Sequence, residues 1–175
     1  MNIGHTIWFT GLSGSGKTTI ANKVANYLRK QGIPVVVLDG DEVRKTLSAD
    51  LGYTKEDRDR HIKRVAHVCK ILTDNHILTI SCVISPTKEI RDYARSLIKN
   101  FIEVYIKCSY EKCEQRDVKG LYKKAKEGEI QNFVGISVPY EEPDHPEVVL
   151  DTEKETVDES VHKLLTALKQ RHIIP

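Results

Sequence analysis

The 175-residue sequence predicts an α/β fold of three layers, in which helices cover both faces of a five-stranded parallel sheet. Two observations lead to this prediction. Short runs of β-branched residues alternate along the chain with stretches of helical periodicity, which is typical of a parallel sheet buried on both faces. In addition, a glycine-rich segment, residues 11–18, lies between the first apolar run and the first helical pattern.

The expected elements follow one another in this rhythm. The expected strands are Ile7–Phe9, Ile33–Leu38, Ile77–Val83, Phe101–Ile106 and Val148–Leu150. Helices are expected directly after the glycine-rich segment, over residues 57–74, 87–99 and 110–116, and along a final apolar stripe from Val157 to Leu168. Ser85-Pro86 is expected to stop the third strand, because Ser-Pro favours a turn.

The glycine-rich segment fits the phosphate-binding pattern G-x-x-x-x-G-K-[ST]. It reads Gly11-Leu12-Ser13-Gly14-Ser15-Gly16-Lys17-Thr18. Glycines let successive backbone N–H groups point at one anion, and the following helix adds partial positive charge. Lys17 is therefore expected to reach the β- and γ-phosphates, and Thr18 to hold Mg²⁺. The expected ATP site continues to Thr19. The alternative is a Gly/Ser-rich turn with no chemical role.

Length and composition predict one soluble domain over residues 1–175. The chain is 39% hydrophobic and 30% charged, with a net charge of +2 that does not indicate nucleic acid. No segment approaches the roughly 18 apolar residues of a membrane span. The first strand is expected within a few residues of the start, which leaves no room for a signal peptide and favours the cytoplasm. The four cysteines form no C-x-x-C pair, so we expect reduced, mostly buried thiols.

The second strand is expected to run into the acidic segment Asp39-Gly40-Asp41-Glu42-Val43-Arg44. This places two carboxylates and an arginine where parallel strands open into a ligand crevice. Carboxylates can orient Mg²⁺ or accept a proton, and an arginine can hold an anionic acceptor. The alternative is structural, with Asp41 capping a short helix that begins at Glu42. The chain has no N-K-x-D motif for guanine, and D-x-x-G at residues 117–120 is interpreted as coincidence.

A basic segment, residues 116–128, interrupts the alternation of strands and helices. It holds Arg116, Lys119, Lys123, Lys124 and Lys126, with glycines near its ends. A mobile basic segment of this kind can close over phosphates and exclude water from a transfer reaction. We therefore predict a lid here, and solvated surface is the alternative.

Further motifs follow in a fixed order: Leu38–Asp41, Val43-Arg44, Asp50–Tyr53, Ile84–Pro86, Lys119–Ala125, Asn132–Ile136 and Pro139–Pro143. Together with the glycine-rich loop they resemble the adenylyl-sulfate kinase (APS kinase) family over nearly the whole chain. The lysine-rich segment and D-G-D-x-x-R are more specific than the loop. The resemblance implies a P-loop kinase fold and ATP-dependent phosphorylation of the 3′-hydroxyl of adenosine 5′-phosphosulfate (APS). The implied products, 3′-phosphoadenylyl sulfate and ADP, belong to sulfate assimilation.

The resemblance also implies an acceptor site. Arg44 matches an arginine that contacts the acceptor nucleotide, and Tyr53 an aromatic residue, usually Phe, that packs on its adenine. Arg58 and Arg64 match two arginines of D-R-x-x-N-I-x-R, in which His61 replaces the usual Asn. The implied acceptor set is Asp41, Arg44, Tyr53, Arg58, His61, Ile84, Ser85, Lys119, Leu121 and Phe133. The alternatives are core packing for Tyr53, an exposed helix face for the arginines and a core anchor for Phe133.

The catalytic candidates are Lys17, Asp41, Lys119 and Ser85. Asp41 is expected to orient the 3′-hydroxyl or accept its proton, while Lys17 and Lys119 offset charge on the migrating phosphoryl group. Thr18, Asp39 and Asp41 are the expected Mg²⁺ residues, Asp39 acting through water. Arg116 matches an arginine that flanks the ATP adenine. Ser85 matches a serine marked as a phosphoserine intermediate, but in-line transfer needs no relay, so we place it in the site without a nucleophilic role.

Two alternative functions stay open from the sequence. One is another small-molecule P-loop kinase, for gluconate, shikimate or a nucleoside monophosphate. The other is a regulatory module that binds ATP and APS without turnover. The expected partners are ATP and APS, with no nucleic acid and no membrane. The resemblance adds a homodimer and functional coupling to an ATP sulfurylase as further expectations.

Overall fold

The computed structural model describes residues 4–175, which contain five strands and seven helices. The strands are β1 (Thr6–Thr10), β2 (Val35–Asp39), β3 (Leu78–Cys82), β4 (Phe101–Lys107) and β5 (Val148–Asp151). The helices are α1 (Lys17–Lys30), α2 (Gly40–Lys45), α3 (Lys55–Asp74), α4 (Lys88–Leu97), α5 (Tyr110–Arg116), α6 (Leu121–Lys126) and α7 (Val157–Gln170). Residues 1–3 of the expected domain lie outside the described part.

All strand pairs in the sheet are parallel, in the order β2-β3-β1-β4-β5. Thr6 of the central strand pairs with Thr79 on one side and with Phe101 on the other. The chain leaves β1 toward β2 and leaves β3 in the opposite direction, toward β4. A crevice therefore opens at the carboxyl ends of β1 and β3, which is where open α/β sheets bind ligands.

Helices cover both faces of the sheet, as the alternating pattern predicted. On one face α1 and α7 bury apolar residues such as Ile20, Val24 and Leu164 against the strands. On the other, α3 and α4 surround the fully buried Trp8. The three-layer α/β prediction is confirmed, and helical periodicity identified these helices because one face of each packs on the sheet.

A third apolar cluster lies beside the glycine-rich loop. It joins Leu12 of that loop to Cys108, Cys113, Tyr122, Phe133 and Val134, all of them buried. Because these residues come from the loop, the position directly after β4, α5, α6 and the segment that follows α6, the cluster fixes the basic segment next to the loop.

Two short helices differ from the sequence prediction. No helix was predicted at α6, and α2 begins two residues earlier than the capping alternative placed it. The capping alternative for α2 placed Asp41 at the cap, and this is wrong. The cap is Asp39, whose carboxylate accepts the N–H of Asp41 at 2.9 Å, so the helix begins at Gly40.

The four cysteines are free and buried, as expected. Within residues 4–175, no helix combines the length and apolar character needed to cross a membrane.

Candidate active site

The glycine-rich loop joins β1 to α1 and is held close to the sheet. A side chain at Gly11 would bring its Cβ within 2.6 Å of the Ile106 carbonyl oxygen, so only glycine fits there. Gly16 precedes α1 with a φ of 106°, a left-handed conformation that glycine adopts without strain. Ser15 is buried, and its hydroxyl has no hydrogen-bond partner within residues 4–175. The loop thus offers a polar group and the N-terminus of a 14-residue helix at one place.

Lys17, the first residue of α1, is buried inside this loop. Its ammonium donates hydrogen bonds to the carbonyl oxygens of Gly11, at 2.8 Å, and Leu12, at 2.7 Å. Burial lowers the pKa of Lys17 to about 8, because neutral carbonyls replace only part of the lost hydration. The chain therefore keeps a costly positive charge beside its anion-binding loop.

The carboxyl end of β2 brings acidic residues to the same loop. The Thr18 hydroxyl donates to Asp39 Oδ2 at 2.6 Å. The other carboxylate oxygen of Asp39 caps α2, which fixes the position of the acid and places Asp41 in the first turn of that helix, two residues further on. Thr18 and Asp39 are hard oxygen donors, the type that Mg²⁺ prefers. Residues 4–175 hold no cluster of three or more His, Cys, Asp or Glu that could bind a metal by itself. One carboxylate with phosphate oxygens is, however, an ordinary Mg²⁺ environment.

The basic segment crosses the crevice and meets the acidic one. The Lys119 ammonium contacts Asp41 Oδ2, and both side chains are about half exposed. The turn before α6 is fixed by Asp117, whose carboxylate accepts the N–H groups of Tyr122 at 3.0 Å and Lys123 at 3.1 Å. Asp117 thus has a structural capping role, which agrees with our view of D-x-x-G as coincidence.

Two arginines flank the ring of Tyr53, which is 51% exposed. The guanidinium carbons of Arg44 and Arg58 lie 4.5 and 5.4 Å from the ring centroid. Burial and then the charge of Arg44 lower the pKa of Arg58, so the two cations repel each other. An anion bound between them would relieve this repulsion, and the exposed ring beside them offers a flat surface for stacking.

His61 lies beneath this cluster and is buried. Its Nδ1 is 3.0 Å from the Ser48 hydroxyl. Burial, followed by the positive charge of Arg44, lowers the pKa of His61 to about 4. The imidazole is therefore neutral at physiological pH and can serve only as a hydrogen-bonding group.

Arg64, expected beside Arg58 and His61, is engaged elsewhere. Its guanidinium donates to the Leu47 carbonyl at 2.6 Å and binds the Asp50 carboxylate with both terminal nitrogens. The hydrogen bonds from Arg64 lower the pKa of Asp50 to about 2. Arg64 thus holds the loop that leads to Tyr53, and the expectation that it lines a pocket is not met.

Ser85 is fully buried, in the loop after β3. The indole N–H of Trp8 donates to its hydroxyl at 3.1 Å, and that hydroxyl donates to Thr10 Oγ1, also at 3.1 Å. Buried Arg91 donates to the Ser85 carbonyl at 2.6 Å. Both hydrogen-bonding roles of the hydroxyl are used inside the protein, which favours a structural role over a nucleophilic one.

Three expected acceptor residues, Ile84, Leu121 and Phe133, pack in or against the apolar cluster beside the loop. Phe133 is 8% exposed, and its ring meets the edge of Tyr122 with 4.9 Å between centroids. The Arg58 guanidinium contacts the Asn132 carbonyl and so ties this segment to Tyr53. The burial of the Phe133 ring agrees with the core-anchor alternative. The preceding residue, Asn132, nevertheless contacts Arg58 beside Tyr53, and both of those residues are expected to bind the acceptor.

Arg116 lies at the end of α5 and contacts the glycine-rich loop from outside. It donates to the Thr152 carbonyl at 2.6 Å and, more weakly, to the carbonyls of Gly14 and Ser15 at 3.4 Å. Thr152 itself donates from its hydroxyl to the Ser15 carbonyl at 2.8 Å. Sequence reasoning missed Thr152, although its position directly after the last parallel strand was an available signal.

The comparisons with known proteins agree on one family. The family model described as adenylylsulphate kinase matches residues 3–151. An adenylyl-sulfate kinase of Halothermothrix orenii is 53% identical over 98% of this chain and 92% of its own length. A probable bifunctional SAT/APS kinase 2 of Sorangium cellulosum is 49% identical over 98% of this chain and 30% of its own.

Solved structures give the same result. The APS kinase of Mycobacterium tuberculosis in complex with AMPPNP and APS superposes with a TM-score of 0.92 at 41% identity, covering 97% of this chain and 99% of that one. Fold, motif order and relatives together lead to one conclusion: the chain belongs to the adenylyl-sulfate kinase family.

Proposed function

We infer that this enzyme transfers the γ-phosphoryl group of ATP to the 3′-hydroxyl of adenosine 5′-phosphosulfate, and we propose that separate sets of residues bind the donor, bind the acceptor and assist the transfer. The observation that carries the proposal is the meeting of two segments at one loop. Thr18 of the loop bonds Asp39, and Lys119 of the basic segment contacts Asp41 two residues later. A donor phosphate and an acceptor hydroxyl would therefore be flanked by groups of both charges.

On the donor side, residues 11–19 hold the phosphates of ATP. Lys17 turns its ammonium from the two loop carbonyls to the β- and γ-phosphates, whose charge stabilises it better than neutral oxygens do. Thr18 and Asp39 hold Mg²⁺, with Asp41 next to them. When bound, the ion neutralises charge on the phosphate oxygens. Arg116 contributes to the adenine side of the site.

On the acceptor side, the two arginines that flank Tyr53 give the site its charge selectivity. Arg44 and Arg58 attract the phosphosulfate, and the exposed Tyr53 ring stacks on the adenine. His61 adds a neutral hydrogen bond, while Ile84, Leu121 and Phe133 close the apolar side. A sugar acid could bind the two arginines through its carboxylate, but it has no flat base to stack on the Tyr53 ring.

For the transfer itself, Asp41 orients the 3′-hydroxyl or accepts its proton, and Lys119 balances the charge that develops. We propose that residues 116–128 close as a lid and exclude water, which would otherwise accept the phosphoryl group. Ser85 keeps the loop after β3 in place and forms no covalent intermediate.

A coupled assay of ADP release tests this assignment with a panel of acceptors: APS, gluconate, shikimate and adenosine 5′-phosphate. We expect turnover with APS and at least 100-fold less with the others. Asp41→Asn should lose most of the rate, about 10²-fold or more. Glu42→Gln is the matched control, because Glu42 is an adjacent exposed acid paired with Lys45. Turnover of a sugar acid in place of APS would refute the assignment, and nucleotide binding without product would indicate a regulatory module.

We further propose that residues 1–175 act as one domain in the cytoplasm. Coupling to an ATP sulfurylase is proposed as well, and the bifunctional name of the Sorangium relative is what supports it. A homodimer is our expectation for the assembly. Size-exclusion chromatography with light scattering measures the assembly, and co-elution with an ATP sulfurylase measures the coupling.

A further inference from the structure

Tyr122 connects the basic segment to the back of the glycine-rich loop. It is 1% exposed, and its hydroxyl donates to the carbonyl oxygen of Ser13 at 2.8 Å. The two residues are 109 positions apart in the sequence. Burial raises the pKa of the Tyr122 phenol, so the hydroxyl keeps its proton and remains a donor at any ordinary pH.

This hydrogen bond has a consequence for the next residue of the loop. In a planar trans peptide the C=O of one residue and the N–H of the next point in opposite directions. Because the Ser13 carbonyl is directed at Tyr122, the N–H of Gly14 must point away from it.

A second hydroxyl acts in the same way two residues later. Thr152 donates to the Ser15 carbonyl at 2.8 Å, so the N–H of Gly16 points away from Thr152. Two alternate peptide planes of the loop are thus held from the side of the protein by hydroxyl donors. Their N–H groups are left to serve as phosphate ligands.

The backbone of Tyr122 belongs to α6, close to the lysine that crosses the crevice. Asp117 accepts the N–H of Tyr122, and Lys119 precedes Tyr122 by three residues and contacts Asp41. Tyr122 therefore contacts the glycine-rich loop through its side chain. Its main chain is held by Asp117, which also fixes the turn that carries Lys119.

We propose that Tyr122 is a positioning residue that couples the lid to the phosphate-binding loop, with Thr152 as a second anchor of the loop. The Tyr122 hydroxyl holds the Ser13–Gly14 peptide in the orientation that binds ATP phosphate, and it does so only while α6 is docked. This inference rests on the proposed use of the loop for ATP.

The hydroxyl can be separated from the ring by experiment. The ring of Tyr122 packs edge-on against Tyr110 and Phe133, with centroid distances of 5.6 and 4.9 Å. Tyr122→Phe keeps these contacts and removes only the donor. We expect its dissociation constants for ADP and AMPPNP, measured by calorimetry, to rise about three- to tenfold, as loss of one buried hydrogen bond implies. The KM for ATP should rise similarly, while the KM for APS should change less than twofold.

Tyr93→Phe is the matched control, since the Tyr93 hydroxyl lies 3.1 Å from His67 Nε2 on the exposed side of α3 and α4, and it should leave nucleotide affinity unchanged. Thr152→Val should also raise the dissociation constant for ADP, and it leaves the buried cluster around Tyr122 and Phe133 unchanged. A Tyr122→Phe protein that binds ADP as wild type does would overturn the coupling and leave only a packing role. If Tyr122→Phe does not fold, unchanged ADP binding by Thr152→Val overturns the anchoring mechanism. Failure of the wild type to bind ADP would instead refute the proposed function.

Discussion

The buried ammonium of Lys17 should make the nucleotide-free enzyme less stable than it would be without that charge. Its pKa is lowered from 10.5 to about 8, chiefly by burial. This lowering of the pKa corresponds to a cost of about 3 kcal/mol at neutral pH, taken as an upper bound. Lys17→Met removes the charge but leaves the Gly11 and Leu12 carbonyls without their donor, which costs about 1–2 kcal/mol. We therefore expect a net gain of about 1–2 kcal/mol in the free energy of unfolding at pH 7.

The pH dependence of this gain identifies its cause. The folded pKa is depressed, so between about pH 8 and 10.5 the unfolded wild-type chain binds more protons than the folded one. Wild-type stability should rise across this window, and the advantage of Lys17→Met should shrink toward zero or below by pH 10.5. Urea unfolding at pH 7, 9 and 10.5 measures both effects.

Lys23→Met is the control for this experiment, because Lys23 lies on the same helix with its ammonium exposed and paired to Asp158. It should change the free energy of unfolding little, because an exposed ion pair contributes little to stability. The same Lys17→Met protein should lose phosphoryl transfer. A variant that is less stable than wild type at pH 7, or a gain that does not depend on pH, would refute the reasoning on Lys17.

Three further substitutions test the roles of Ser85, His61 and Arg91. Ser85→Ala should keep kcat within about tenfold, since no relay is needed, while costing about 1 kcal/mol of stability for the buried hydroxyl; complete loss of product in quenched assays would favour a phosphoserine. The free energy of unfolding of the wild type should fall between pH 6.5 and 4, because the pKa of His61 is about 4 in the folded state and the unfolded chain binds more protons there. His61→Asn should show a smaller fall; urea unfolding with the same pH profile as wild type would contradict this. Arg91→Met should lower the free energy of unfolding by about 3–5 kcal/mol, since it removes the buried cation that lies 3.1 Å from buried Glu103 and leaves that carboxylate with the longer 3.3 Å contact to the partly exposed Arg95; a loss below 1 kcal/mol would show that the network is dispensable.

The sequence was most informative where the determining residues are neighbours in the chain. The glycine-rich loop, the acids at the end of β2 and the amphipathic helices all depend on local spacing, and they lie where the sequence predicted them. Strand ends moved by one or two residues because pairing with neighbouring strands sets them. The cap of α2 moved from Asp41 to Asp39 because the carboxylate nearest the free N–H groups takes that role.

Contacts between distant segments could not be predicted in the same way. Arg64 turns to Asp50, 14 residues earlier, because a paired carboxylate nearby stabilises it more than an open crevice does. Ser85 is buried by Trp8 and Arg91, whose approach depends on the packing of β1 and α4. Tyr122 and Thr152 reach the glycine-rich loop across 109 and 137 residues. No local pattern marks the Tyr122 hydroxyl as a donor to a loop carbonyl, and the signal for Thr152 was its place directly after the last strand.

We propose that this crevice passes the terminal phosphate of ATP to the 3′-hydroxyl of APS. The most direct test of this proposal follows the label from γ-³²P-ATP in a reaction with APS, with the products separated and the position of the new phosphate assigned. We expect label at the 3′-oxygen of the nucleotide with wild-type enzyme and very little with Asp41→Asn. Label found only in inorganic phosphate, or at another position of the acceptor, would contradict it.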